Sequence, residues 1–279
     1  MSPAEETGSA LTVDSVCKVF RPRRRGEPAV TALHDVSLTL APGTAIGLVG
    51  ASGSGKSTLA RLVTGLDRPS AGQITFGGLR VDRLRRGGLR RYRKHVQMVF
   101  QDPYAALNPV HTVGYTLTRP VVNYLNLDAR EAAGRVRGLL DIVGLAPASQ
   151  FVDKLPHQLS GGQRQRVVIA HALACEPQVI IADEPVSMLD VSLRAGILRL
   201  LGQLRSQTGV SLLYITHDLL SARIVTDELL VLNKGRLVEQ GPTRQVLRDP
   251  RDAYTRQLLA ALPSPFAAVS PSSSAGGTA

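Results

Sequence analysis

Tryptophan is absent from the 279 residues, cysteine occurs twice, and lysine is outnumbered by arginine five to twenty-eight. Cys17 and Cys175 have neither the count of a disulfide framework nor the spacing of a zinc site, which suits a reducing compartment and predicts two buried small hydrophobes. No apolar run reaches the roughly 18 residues needed to cross a bilayer. The first ten residues carry Glu5 and Glu6 and no apolar core, so they do not read as a secretory leader. A cytoplasmic globular chain is expected, and 43% hydrophobic content is enough for one large domain or a domain with an inserted subdomain.

Acidic residues are also few, 22 against 33 basic, and the resulting charge of +11 is local. Arg21, Arg23, Arg24 and Arg25 carry four of these charges; Arg80, Arg83, Arg85, Arg86, Arg90, Arg91, Arg93 and Lys94, less Asp82, carry seven. Such runs read first as solvated faces, and with Tyr92 as their one aromatic they offer no stacking platform for nucleic acid. A location near acidic lipid headgroups is the other expectation.

Set against these scarcities is a dense phosphate-binding motif. Gly50-Ala51-Ser52-Gly53-Ser54-Gly55-Lys56-Ser57-Thr58 is a complete G-x-x-x-x-G-K-S/T loop, placed after the buried-strand run Ala45 to Val49 and before the helically spaced Leu59 to Thr64. Gly50, Gly53 and Gly55 let successive N–H groups converge, and the helix starting near Lys56 adds the positive end of its dipole. Lys56 brings a point charge to the β- and γ-phosphates, and Ser57 is placed to ligate Mg²⁺.

Along the chain, Leu11 to Phe20 and Val30 to Leu40 alternate like strands of a partly exposed antiparallel sheet, with Gln73 to Phe76 a further short strand. Phe20 reads equally as a core residue or as a π-face for a nucleobase. Val96 to Phe100 is a strand delivering Gln101 to its carboxyl end, where open α/β sheets bind ligands. From Thr112 to Pro156 the character changes: Ala129 to Val143 has helical periodicity and no strand signal of comparable strength appears, which reads as a helical insertion in the α/β core. Ser160, Gly161, Gly162 and Gln163 open a helix running through Arg164 to Cys175, an arrangement suited to an anion. Val179 to Ala182 delivers Asp183 and Glu184, one carboxylate for Mg²⁺ and one to orient and deprotonate water. Asp190 is placed to cap the helix Val191 to Thr208, the strand Ser211 to Ile215 leads to His217, Asp227 to Asn233 and Arg236 to Gln240 form a hairpin, and Arg251 to Leu262 closes the fold as a helix.

In this order, the phosphate loop, Gln101, Leu159-Ser160-Gly161-Gly162-Gln163, Asp183-Glu184, Ser187-Met188-Leu189-Asp190 and His217 resemble the ATP-binding subunit of an ABC transporter over about residues 11–262. The resemblance implies an α/β fold: a P-loop NTPase ABC-type ATPase core with an antiparallel β subdomain and an inserted α-helical subdomain at about 112–165, flanked by disordered segments 1–10 and 263–279. It implies ATP and Mg²⁺ as ligands, with Ser57, Gln101 and Asp183 toward the metal. Glu184 is then the general base, His217 the γ-phosphate contact and Phe20 the adenine-stacking ring. Ser160, Gly161 and Gly162 complete the site of a second ATP-binding subunit, and Gln163 and Asp190 are counted with them as nucleotide-binding. Implied partners are that subunit, integral membrane permeases and, through them, an extracellular or periplasmic solute-binding protein, which places the chain on the cytoplasmic membrane face. Met188 departs from the family's usual alanine.

Val99-Phe100-Gln101-Asp102-Pro103-Tyr104, Leu107-Asn108-Pro109 and Ala253-Tyr254-Thr255 further resemble the dipeptide, oligopeptide and nickel importer branch. The tail has no cysteine for the iron–sulfur cluster that some members carry. A soluble ABC-type ATPase acting on ribosomes or nucleic acid is the competing reading.

Overall fold

Alternating burial marks one sheet and continuous burial the other. The computed structural model describes residues 9–21 and 28–261; Arg23, Arg24 and Arg25, the tail 263–279 and most of segment 1–10 lie outside them. Along the chain run β1 (Leu11–Phe20), β2 (Val30–Leu40), β3 (Ala45–Val49), α1 (Lys56–Val63), β4 (Ala71–Phe76), β5 (Leu79–Arg80), α2 (Arg86–His95), β6 (Val96–Val99), α3 (Pro103–Ala106), α4 (Val113–Leu125), α5 (Ala129–Ile142), α6 (Gly161–Leu173), β7 (Val179–Asp183), α7 (Val191–Thr208), β8 (Ser211–Thr216), α8 (Leu219–Val225), β9 (Glu228–Asn233), β10 (Arg236–Pro242), α9 (Thr243–Arg248) and α10 (Ala253–Ala260). Strands β2-β1-β4-β5 form an antiparallel sheet, and β10-β9-β3-β8-β7-β6 form a second, parallel except for the edge strand β10.

Every residue of β3, β7 and β8 is buried, because both faces of the parallel sheet are covered. Successive side chains therefore enter different cores. Ile46, Leu48, Ile181, Leu213 and Ile215 join α1 and the antiparallel sheet; Ala45, Val49, Ile180, Ala182, Leu212 and Tyr214 join α4 to α8. Each large side chain so buried contributes about 1.5–3 kcal/mol relative to exposure, holding the strand register that places the site.

The helical segment contains more than its sequence pattern announces. Besides α5, capped reciprocally by Asp128 and Glu131, α4 forms across Pro120 with Thr112 accepting from the Tyr115 N–H. The basic run, read as a solvated face, is partly the helix α2, in which Tyr92 is core: it meets Phe76 edge-on at 5.7 Å and its hydroxyl donates to Val63 O. Arg83, Arg85, Arg86, Arg90 and Arg91 stay exposed. Cys175 is buried as expected, but Cys17 is only half-buried, because β1 belongs to the sheet with one solvated face. The closing helix is shorter than expected because Asp252 caps it at Tyr254.

Asp82 ties the antiparallel sheet to this basic stretch. Its carboxylate accepts from Arg80 Nε at 2.9 Å, Arg80 Nη2 at 2.7 Å and the Ile74 N–H at 3.2 Å. The Arg80 fork, helped by the Ile74 N–H and opposed by burial, holds Asp82 below the ordinary carboxylate range. A depressed folded-state pKa contributes stability that is fully present above the unfolded value and lost as pH falls through the folded one. Thermal unfolding followed by circular dichroism should thus show Asp82→Asn costing stability near neutrality, with the gap to wild type closing as pH falls below the ordinary carboxylate range.

Candidate nucleotide site

Four parallel strands end side by side. Val49 pairs with Thr216, Asp183 with Ile215, and Ala182 with Val99, so the segments following β3, β8, β7 and β6 leave the sheet at one edge. They deliver the loop 50–58, His217, Asp183-Glu184 and Gln101. A cleft of about 590 Å³ is lined by Gly50, Ser52, Gly53, Gly55, Lys56, Ser57, Thr58, Gln101, Glu184 and His217, while Asp183 lines the adjoining groove together with Ser57 and Gln101.

Two glycines in the loop have no alternative. A Cβ on Gly50 would lie 2.1 Å from Leu232 O of β9, and one on Gly55, where φ is +109°, would lie 2.6 Å from Ala32 O. Gly55 precedes α1 without any side-chain cap, so the first-turn N–H groups are left for an anion. Lys56 is 5% exposed and its Nζ donates to Gly50 O at 2.8 Å and Ala51 O at 2.9 Å. Burial pushes its pKa below the usual lysine value, while Glu184 and Asp183 pull it back up. Ser54 is buried, and its backbone carbonyl accepts from Gly235 N–H at 2.9 Å.

Glu184 leaves β7 with φ at +47°, its N–H donating to Ile215 O at 2.8 Å. Its Oε2 accepts from Gln101 Nε2 at 3.2 Å, and its Oε1 lies 3.0 Å from His217 Nδ1. A left-handed backbone at a non-glycine costs about 1–2 kcal/mol, and the contacts of Gln101 and His217 with the Glu184 carboxylate act against that cost. Three residues from three strand ends are thereby held in one constellation.

Asp183 is buried beside them, and its Oδ1 has no hydrogen-bond partner. Burial raises its pKa; Ser57 opposes this, Glu184 adds to it, and Lys56 opposes it. An orphaned buried carboxylate oxygen is costly and asks for a cation or ordered water. With the Ser57 hydroxyl and the Gln101 amide oxygen it makes an all-oxygen donor set, which fits Mg²⁺ completed by phosphate oxygens and water. Among the described residues no cluster of three His, Cys, Asp or Glu offers a metal an all-protein cage.

The remaining expected residues lie elsewhere. Phe20 is 43% exposed, which removes its core reading; Lys18 Nζ sits 5.0 Å from its ring centroid. Ser160 caps α6, accepting from Gln163 N–H at 3.3 Å while Gln163 Oε1 accepts from Ser160 N–H at 3.0 Å. A Cβ on Gly161 would meet Leu189 at 3.7 Å, and one on Gly162 would meet Leu193 at 3.3 Å. None of residues 159–163 lines the cleft. Asp190 precedes α7 but its side chain makes no capping bond, contrary to expectation. Met188 is exposed, so its size changes no internal packing. Sequence reasoning missed Leu258 in the cleft wall and the contact of Tyr254 with the loop, since a side chain some 200 residues away leaves no local mark on it.

A parallel sheet with a phosphate loop, an acidic strand end and a carboxylate held by Gln and His defines a P-loop nucleotide hydrolase. The family described as "ABC transporter" matches residues 33–187. The oligopeptide transport ATP-binding protein OppF of Lactococcus lactis is 40% identical over 252 residues, covering 88% of this chain and 78% of that protein. The glutathione import ATP-binding protein GsiA of Escherichia coli is 45% identical over 234 residues, covering 84% of this chain and 37% of that one. A dimeric post-hydrolysis ATP-binding cassette, MJ0796 bound to ADP and Pi, superposes with a TM-score of 0.75 at 30% identity, covering 84% and 99% of the two chains. The Clostridium perfringens protein cbiO1, part of the ABC transporter complex cbiONQ, gives 0.76 at 30% identity, with coverage of 87% and 92%. The chain belongs to the ABC transporter family and is an ATP-binding, ATP-hydrolysing member of it.

Gly50→Ala places a methyl against Leu232 O, a backbone atom that cannot retreat cheaply. Titration with a fluorescent ATP analogue should show binding lost by at least about tenfold, the equivalent of roughly 1.4 kcal/mol.

Proposed function

We propose that the chain powers the import of peptides or a related small solute, hydrolysing ATP at a site shared between two such subunits. The observation that carries this reading is the separation within one chain: the loop 50–58 and Glu184 share a cleft, while Ser160, Gly161, Gly162, Gln163 and Asp190 lie outside it. An N-capped helix start outside the chain's own cleft is available to the γ-phosphate held by a second subunit. The printed functions of OppF and GsiA, oligopeptide transport and glutathione import, support the solute class. They lend nothing to the ribosome or nucleic-acid reading.

In this proposal Lys56 exchanges its two loop carbonyls for the β- and γ-phosphates, and Phe20 stacks on adenine. Ser57, Asp183 and Gln101 hold Mg²⁺, which when bound neutralises phosphate charge. Glu184 orients and deprotonates the attacking water, and His217 leaves Glu184 to reach the γ-phosphate. The site is thus inactive until Gln101 and His217 release the base, an event coupled to subunit closure.

Gln101, with Ser57 and Asp183, also lines a neighbouring groove of about 680 Å³ whose largely apolar wall includes Leu66, Met98, Phe100 and Leu107. This groove lies between α1, β6 with the segment that follows it, and α6; the helical segment at about 112–165, which we assign as an inserted subdomain, contributes nothing to its lining. The groove is suited to a cytoplasmic segment of a membrane permease. No helix of the described residues is long and apolar enough to cross a membrane; in this proposal the chain attaches peripherally through the permease, on the cytoplasmic face. The exposed arginines of 83–91 are compatible with the anionic surface there.

Glu184→Gln should retain ATP binding yet slow hydrolysis by at least about a hundredfold, in line with loss of a general base, and size-exclusion with ATP should reveal an accumulated dimer. Hydrolysis near the wild-type rate would remove Glu184 from that role. Ser160→Ala should leave the nucleotide affinity of the monomer unchanged while suppressing turnover in the assembled transporter. Because Ser160 also caps α6, a cost of about 1 kcal/mol in unfolding is expected alongside and serves as an internal control.

A further inference from the structure

The phosphate loop is held from outside by a residue of the last helix. One peptide unit, Gly50–Ala51, is engaged at both of its polar ends: its carbonyl accepts from Lys56 Nζ at 2.8 Å, and its N–H donates to Tyr254 Oη at 2.9 Å. The hydroxyl thus fixes the orientation of the carbonyl on which the ligand-free lysine rests. Without that acceptor the unit could rotate between Gly50, which has no Cβ, and the exposed Ala51; glycine-flanked peptide planes turn over cheaply.

Tyr254 is itself anchored well enough to act as a brace. Asp252 accepts from Tyr254 N–H at 2.8 Å, and Glu239 of β10 accepts from the Arg251 and Asp252 N–H groups at 2.8 and 3.1 Å. Tyr254, Leu258 and Leu259 pack against the larger core, and Leu258, one turn on, lines the nucleotide cleft. Beneath the loop, Leu232 O of β9 leaves no room for a side chain on Gly50. The first two loop residues are therefore fixed from the sheet below and from α10 outside.

We propose that Tyr254 is a positioning residue for nucleotide binding: its hydroxyl orients the Gly50–Ala51 peptide, preorganising the loop and the approach of Lys56 to phosphate. This rests on the reading of residues 50–58 as the nucleotide phosphate loop, and it ties the position of α10 to the occupancy of the cleft. The hydroxyl touches no phosphate, so its effect falls on ground-state binding of ATP and ADP alike and leaves the chemical step alone.

The test is Tyr254→Phe in the full chain, which keeps the ring and its packing and deletes only the acceptor. Titration with fluorescent ATP and ADP analogues should show affinity weakened about two- to tenfold, the span expected for one neutral hydrogen bond. KM for ATP should rise by a similar factor with kcat within about twofold of wild type. Amide exchange at Ala51 should accelerate, while the ligand-free melting temperature stays the same. A purely structural role would instead lower that melting temperature and leave KM alone. Unchanged or tighter nucleotide binding in folded Tyr254→Phe, or an Ala51 amide still protected, overturns the proposal. Lys56→Ala separates this from the underlying reading: if that variant still binds nucleotide, the phosphate-loop assignment has failed, whereas its loss of binding beside a wild-type Tyr254→Phe rejects the brace alone.

Discussion

The parallel register of β3, β8, β7 and β6 is the constraint on which the rest of the molecule depends. Because Val49 sits beside Thr216 and Asp183 beside Ile215, groups more than 100 residues apart in sequence emerge at a common edge. The register is enforced by burial on both faces: slipping any of these strands by one residue would exchange the side chains entering the two cores. The geometry of the candidate site is thus a consequence of where Ile, Leu and Val side chains fit.

On that edge the charges are arranged with restraint. Lys56 rests on carbonyls, Glu184 is shared by Gln101 and His217, and Asp183 keeps one buried oxygen without a partner. Each of these contacts is of a kind that substrate or metal replaces, at little net cost in hydrogen bonds. The left-handed backbone at Glu184 lifts that carboxylate out of the strand alternation and into the cleft, while Asp183 stays at the strand end. Two adjacent acids thereby gain different surroundings.

Much of this was legible beforehand, and the reasons differ by element. The loop 50–58, β1, β2 and α5 announce themselves through spacing, since local backbone demands and periodic burial are written in consecutive residues. α4 was hidden by Pro120 and by polar residues interrupting its apolar face, and α2 by a charge density that masks the one buried ring, Tyr92. Phe20 could not be assigned inside or outside from sequence because the first sheet has one solvated face, and position along an alternating strand does not say which face that is.

The amino-acid sequence alone determined the chemistry: which residue types could cradle phosphate, bind a hard cation and activate water, and the family whose order of motifs they follow. Those properties depend on short spacings, and short spacings survive without a fold. Only the tertiary structure decided that Gln101 and His217 both hold Glu184, that residues 159–163 lie away from the chain's own cleft, and that Tyr254 reaches the Ala51 amide. Contacts across 33 to 203 residues follow from which faces of sheet and helix are buried against one another, and that is settled by the packing of the whole chain.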